Sequence, residues 1–191
     1  MKLSKPFYST ICKDSPDGIK TVSKHRFNPI GTIFAGNRKI RNLQVLSFTN
    51  IKRLSYENLK GCDTLESITI PKSVDIIDWY TFGGWSYNPL KSLKRVLVEE
   101  GLLSKIPEGF DNLIKDVVDY PSTISSFGAY QPSLRAKITI LRAPIPPNIG
   151  VSSLGGNGLL YVPNDVIDVY RHSDGWSRVA NRIYPLSKYH S

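Results

Sequence analysis

Two cysteines and three histidines in 191 residues leave this chain poor in the side chains that bind metals, form disulfides or move protons near neutral pH. Cys12 and Cys62 are too few for a disulfide framework and lack the CxxC or Cys/His spacing of a metal site, so both are expected as thiols. No metal or other cofactor is expected. Long apolar runs are missing as well. No window approaches the roughly 18 uninterrupted apolar residues of a membrane span, and none is expected to insert. The opening "MKLSKPFYSTICKDSPDG" lacks the apolar run of about 7 residues that a signal peptide needs, so export by the general route is not expected. What remains, 40% apolar and 21% charged, is the composition of a globular chain long enough to bury one core.

Catalysis has little to work with. "RHSDGW" places His172, Ser173 and Asp174 side by side, but a triad needs side chains converging from separate elements, and neighbours on one turn diverge. The glycine-rich "LGGNGLL" (154–160) lacks the GK[ST] of a phosphate loop and runs into a strand, so it reads as a turn. Asp75 and Asp78 in "DIID", and Glu99 and Glu100 in "VEEG", are carboxylates with no partner set, and they read as solvated surface. No enzymatic activity is expected.

What the chain does have is internal repetition. "LESITIP" at Leu65 has similar starts at Leu43, Leu93, Leu113, Leu134 and Leu159, separated by 22, 28, 20, 21 and 25 residues. A second phase, an aliphatic followed about five residues later by an aromatic or leucine, recurs at Val22–Phe27, Leu54–Leu59, Ile77–Phe82 and Ile106–Phe110. Alternation predicts Leu65, Ile68 and Ile70 inward with Ser67 and Thr69 outward. The proline of "IP", "YP" and "VP" (70–71, 120–121, 162–163) has no N–H to give a ladder and marks the same strand exit three times.

"ITIPKSVDIIDWYTF" and "LKGCDTLESITIP" resemble BspA-like leucine-rich repeats, and "APIPPNIG" followed by "LLYVPNDVIDVYRHSDGWSRVANRIYPL" is similar to the segment that closes such arrays. The resemblance covers residues 43 to 187 and departs from the pattern between Leu93 and Tyr130. With the period of 20 to 29 residues, it implies an α/β chain: a curved leucine-rich-repeat solenoid of five or six coils, with a parallel sheet on one face, short helices or turns on the other, and a C-terminal helical cap. In the closing segment Asn164 is expected as an N-cap, with Val166, Val169 and Tyr170 on one face. A second short helix, starting at Ser173 or Asp174, would carry Trp176, Val179, Ala180 and Ile183 as one apolar stripe.

The organisation expected is a basic N-terminal arm and first-coil cap (1–41), repeat coils (42–158) and a capping segment (159–191). Residues 1–41 hold nine Lys and Arg against Asp14 and Asp17, or +7 of the total +9. Lys2, Lys5, Phe7, Tyr8, Lys13 and Lys20 are the expected docking residues of that arm, whose alternative reading is a solvated cap. Nucleic acid is disfavoured, because the basic residues are scattered and no groove-binding module follows.

A scaffold of this kind binds through the outward strand positions. By alternation these are Ser47, Thr49, Ser67, Thr69, Arg95, Leu97, Val117, Asp119, Lys137, Thr139 and Tyr161. They are small and mixed, which suits a weak or multivalent contact with a protein partner in a virion or on a host surface; a glycan ligand and a homo-oligomer stay open. Three settings compete: a bacteriophage virion component (decoration, fibre or tail, in the virion or host cytoplasm), a bacterial surface adhesin, and an intracellular interaction or nucleic-acid-associated scaffold.

Overall fold

The computed structural model describes residues 41–43, 52–55, 59, 62–79, 81–82 and 90–190. These form a mixed α/β arrangement dominated by parallel strands. The principal sheet has seven: β1 (Asn42–Leu43), β3 (Ser67–Ile70), β5 (Arg95–Val98), β7 (Val117–Tyr120), β9 (Ile138–Leu141), β10 (Leu159–Val162) and β11 (Ile183–Pro185), in that spatial order. Two narrow parallel pairs accompany it, β2 (Arg53–Leu54) with β4 (Ile76–Ile77), and β6 (Lys105–Ile106) with β8 (Ser126–Phe127). The helix α1 (Ile167–His172) and short 3-10 helices complete the closing segment.

The alternation of "SITI" and "RVLV" decides which way each strand faces. Leu43, Ile68, Val96, Val118, Thr139, Leu160 and Ile183 stand in one cross-strand row. From Ile68 onward every member of that row is at most 2% exposed. Behind it, Leu54, Ile77, Ile106 and Phe127 from the narrow pairs close one continuous apolar core. Each such side chain contributes about 1.5–3 kcal/mol by leaving water. A chain of ring contacts runs through this core from Phe82 to Phe110 (5.0 Å), Tyr120 (5.8 Å), Phe127 (5.2 Å), Trp176 (6.3 Å) and Tyr170 (5.3 Å).

Strands end where the prolines stand. After Ile70 and Tyr120 the same turn forms, with Val74 N–H donating to Pro71 O and Ile124 N–H to Pro121 O. The acids of "VEEG" are turn partners: Glu99 accepts from Lys72 N–H at 3.1 Å, and Glu100 accepts the Ser122 N–H and hydroxyl at 2.7–3.0 Å. In "LGGNG" the glycines permit close approach, since a Cβ at Gly156 or Gly158 would strike the Leu134 or Ala136 carbonyl.

Register corrects several expectations. Leu43 lies opposite Ile68, not Leu65. Ile114, 1% exposed, takes the core position expected of Leu113. Leu159 is an outward residue, 37% exposed, and Leu160 is the inward one. The closing segment also differs. Pro163 rather than Asn164 precedes the turn Asn164–Val166, and Asn164 Oδ1 accepts from Ser187 N–H at 3.0 Å. Val169 is 51% exposed while Tyr170 is fully buried. The second short helix is a 3-10 helix that begins later, Trp176–Arg182, and it leads into β11, a seventh strand parallel to β10. The stripe of Trp176, Val179 and Ile183 is buried, but Ile183 is a strand residue.

Candidate functional site

The outer face of the seven-stranded sheet is built from the residues that alternate with the core row. One line across it reads Asn42, Ser67, Arg95, Val117, Ile138, Leu159; the next reads Thr69, Leu97, Asp119, Ile140, Tyr161, Tyr184. Its character changes along the stack. It is polar at β1 and β3, where Ser67 Oγ donates to Asn42 Oδ1 at 2.6 Å. Through β5 to β10 it is mixed: Arg95 and the Asp119–Arg142 pair stand among Val117, Ile138 and the exposed Leu97 (41%) and Leu159 (37%), while Ile140 is covered at 2% exposed. At β10 and β11 it turns aromatic: Tyr161 lies 6.0 Å from Tyr184 and 5.4 Å from Tyr189, ring centre to ring centre.

One strand position upstream of the first line runs a row of alternating charge: Arg41, Glu66, Lys94, Asp116, Lys137. Glu66 sits between Lys94 (2.9 Å) and Arg41 (3.5 Å), and Lys137 meets Asp116 at 2.8 Å. The hydrogen bond from Lys94, then its charge and that of Arg41, hold the Glu66 carboxyl below its ordinary range. The cations are well exposed and the acids about a third exposed, so each pair adds little alone. As a row they set each charge beside its opposite in the observed register.

The outward positions expected from the sequence fall into four groups. Ser67, Thr69, Arg95, Leu97, Val117 and Tyr161 do face outward. Asp119 faces outward but is only 7% exposed, held in a two-pronged pair by Arg142 (Nε to Oδ1 2.8 Å, Nη2 to Oδ2 2.7 Å). Lys137 is exposed but precedes β9, and Thr139 points into the core at 0% exposure; the outward residues of β9 are Ile138 and Ile140. The sequence reading placed the strand one residue out of phase because the inward position before it is a small Ala136 and the next is a polar Thr139. Ser47 and Thr49, and the docking residues Lys2, Lys5, Phe7, Tyr8, Lys13 and Lys20, lie outside the described residues, as does the Val22–Phe27 pair.

Sequence reasoning also missed Arg142, Ile138, Ile140, Leu159, Tyr184 and Tyr189 as parts of this face. Tyr184 could not be found without recognising β11. A buried polar cluster at the turn before β7 was missed too: Asp111, 1% exposed, accepts from the Tyr120 hydroxyl (2.9 Å) and Ser133 N–H (3.1 Å), while Gln131 Oε1 accepts from Asp111 N–H (3.1 Å). Burial outweighs these hydrogen bonds and pushes the Asp111 carboxyl above its ordinary range.

His172, Ser173 and Asp174 do not assemble: His172 Nδ1 bonds the Asp168 carbonyl at 2.7 Å and the Ser173 hydroxyl donates to the Val169 carbonyl at 2.7 Å. Among the described residues no group of His, Cys, Asp or Glu is arranged to hold a metal, and no helix is long and apolar enough to cross a membrane. Cys62 is a thiol packed in the core. No protein-family model matches the sequence, and no curated protein is significantly similar to it.

Proposed function

We propose that this protein is a non-enzymatic interaction module, a leucine-rich-repeat solenoid of the BspA-like kind that binds a protein partner through the outer face of its parallel sheet. The observation that carries this reading is the face itself: the exposed Leu97 and Leu159 on the strands that lead to the Tyr161, Tyr184 and Tyr189 cluster. Aromatic and aliphatic side chains held on a rigid sheet lose little entropy on binding, and tyrosine supplies both apolar area and a hydroxyl. Repetition at 21 to 28 residues per strand and the repeated proline turn support the repeat reading. Fold alone would not give this function, and the face is what it rests on.

The setting we propose is a virion, where the module serves assembly or host attachment. Affinity capture from purified phage particles, from host envelope fractions and from host lysate, each with wild type and with the double variant Leu97→Asp/Tyr161→Asp, tests both parts. A partner retained by wild type and lost by the folded variant supports the face; its recovery from particles supports the virion setting, and from the envelope the adhesin setting. Retention of the same partner by the variant overturns the proposed face.

A further inference from the structure

Two dipeptides among the described residues set an acid or amide side chain before a glycine, Asn157–Gly158 and Asp174–Gly175, and both Asn157 and Asp174 are exposed. Such a pair can close on itself, because the glycine nitrogen reaches the side-chain carbonyl carbon and no Cβ hinders the approach. In an unfolded chain the asparagine pair is the faster of the two. A carboxyl group is ionised near neutral pH and must take a proton before it can be attacked.

The fold reverses that order. Gly158 is buried, and its N–H donates to the Leu134 carbonyl at 2.8 Å. A Cβ there would strike the Ala136 carbonyl oxygen, so the backbone is clamped against the preceding coil. Turning the Gly158 nitrogen toward the Asn157 side chain would break that bond and pull on β10, where Leu159 N–H donates to Lys137 O at 2.9 Å. Nothing comparable holds the other pair. Gly175 lies at φ +73° in the turn between α1 and the 3-10 helix Trp176–Arg182. Among the described residues no acceptor is found for its N–H and no partner for the Asp174 carboxylate.

We infer that Asp174–Gly175 is a spontaneous modification site, at which the folded protein converts aspartate to isoaspartate while Asn157–Gly158 is protected. The Gly175 nitrogen gives up its proton and attacks Cγ of the protonated Asp174 carboxyl; a C–N bond forms, water leaves, and a five-membered succinimide results. Water then adds back at one of its two carbonyls. Opening at Cγ restores aspartate. Opening at the former backbone carbonyl leaves the chain running through the side chain, one methylene longer, with a free α-carboxylate and no change of mass. The added length enters directly before Trp176, whose ring is 1% exposed and whose N–H donates to Pro147 O at 2.9 Å. Modification therefore loosens the anchor of the closing segment.

The test incubates the full chain for several weeks near neutral pH and well below its Tm, in parallel with a sample unfolded in guanidinium chloride. Peptide mass spectrometry with electron-transfer fragmentation, which distinguishes the two isomers, reads both sites against a fresh sample. In the folded protein isoaspartate at Asp174 is expected to exceed modification at Asn157 at least tenfold, and in the unfolded sample the order is expected to reverse. Asp174→Glu keeps the charge but would need a six-membered ring; it should accumulate no isomer and hold its Tm through the incubation, while the Tm of wild type falls. Modification of Asn157 first in the folded protein overturns the proposal, as does an Asp174 that stays unchanged while the unfolded sample reacts at Asn157. An unfolded chain in which Asp174 still leads overturns the protection assigned to Gly158. Equal loss of Tm in wild type and Asp174→Glu overturns the link to the closing segment.

Discussion

The Trp176 indole N–H donates to the Pro147 carbonyl at 2.9 Å, tying the closing segment to the loop that follows β9, 29 residues earlier. The same ring is 1% exposed and makes edge contacts with Phe127 and Tyr170, while the Tyr170 hydroxyl donates to the Ala143 carbonyl at 2.8 Å. The closing segment is thus fixed by two buried aromatic hydrogen bonds. Its role is structural: it carries the chain from β10 to β11 and seats Trp176 at the end of the core ring chain.

Replacing this ring separates packing from hydrogen bonding. Trp176→Ala is expected to lower stability by about 3–5 kcal/mol, the usual loss for a buried tryptophan. Trp176→Phe keeps most of the ring but leaves Pro147 O without its donor, and its expected loss is smaller, by the measure of a net hydrogen bond of about 1 kcal/mol set against lost area. Urea unfolding of both variants measures this. Equal losses would show that the N–H bond, not the ring, anchors the segment.

Thr139 stands in the core row where its neighbours are Val118 and Leu160, and its hydroxyl finds no hydrogen-bond partner among the described residues. A buried hydroxyl without a partner costs roughly 1–3 kcal/mol. Thr139→Val, of nearly the same shape, is therefore expected to stabilise the protein by about 1–2 kcal/mol and to raise Tm. A drop in Tm would mean that the hydroxyl is satisfied in solution and that the inward register of β9 brings no penalty.

Thr139 also shows where the sequence stops being readable. Alternation and the proline exits at 71, 121 and 163 locate β3, β7 and β10, because there apolar side chains such as Ile70, Tyr120 and Val162 mark the inward positions. At β9 the inward residues before Leu141 are Thr139 and, upstream of the strand, Ala136, while the outward ones are Ile138 and Ile140, so the hydrophobic pattern is inverted and the phase is misread. β11 escapes for a different reason: Trp176, Val179 and Ile183 satisfy a helical spacing although the chain becomes a strand at Ile183. The charge row from Arg41 to Lys137 is plain in composition but invisible as a row, since the strand spacing varies from 21 to 28 residues and only register aligns it.

That row has a salt-dependent signature. Glu66→Lys would set three cations, Arg41, the new lysine and Lys94, in adjacent positions where Glu66 now links the other two. The expected result is a modest fall in Tm at low ionic strength that shrinks as salt rises toward a Debye length of about 3 Å at 1 M. Glu66→Gln should show less than half of that fall. A loss for Glu66→Lys that is the same at all salt concentrations would point to packing and away from charge.

Asp111 gives the chain a pH dependence of the opposite sign to that of a salt-bridged acid. Burial raises its carboxyl above the ordinary range even though Ser133, Tyr120 and Gln131 hydrogen-bond around it. The folded state therefore holds this proton more tightly than the unfolded state, where the pKa is about 3.9. Its contribution to stability is fully present below that unfolded value and is lost as pH rises through the raised folded value, because proton uptake on folding makes stability fall with pH. Asp111→Asn keeps the size and can accept from Ser133 N–H while its amide donates to the Tyr120 oxygen, with no charge to bury. Urea unfolding between pH 4 and pH 7 should then show stability declining less with pH, or rising more, in Asp111→Asn than in wild type. The two curves should diverge on the high-pH side of 4, with the variant gaining on wild type. Parallel curves would mean that the carboxylate is stabilised by its donors as well as it is by water, and the burial cost assigned to it would be wrong.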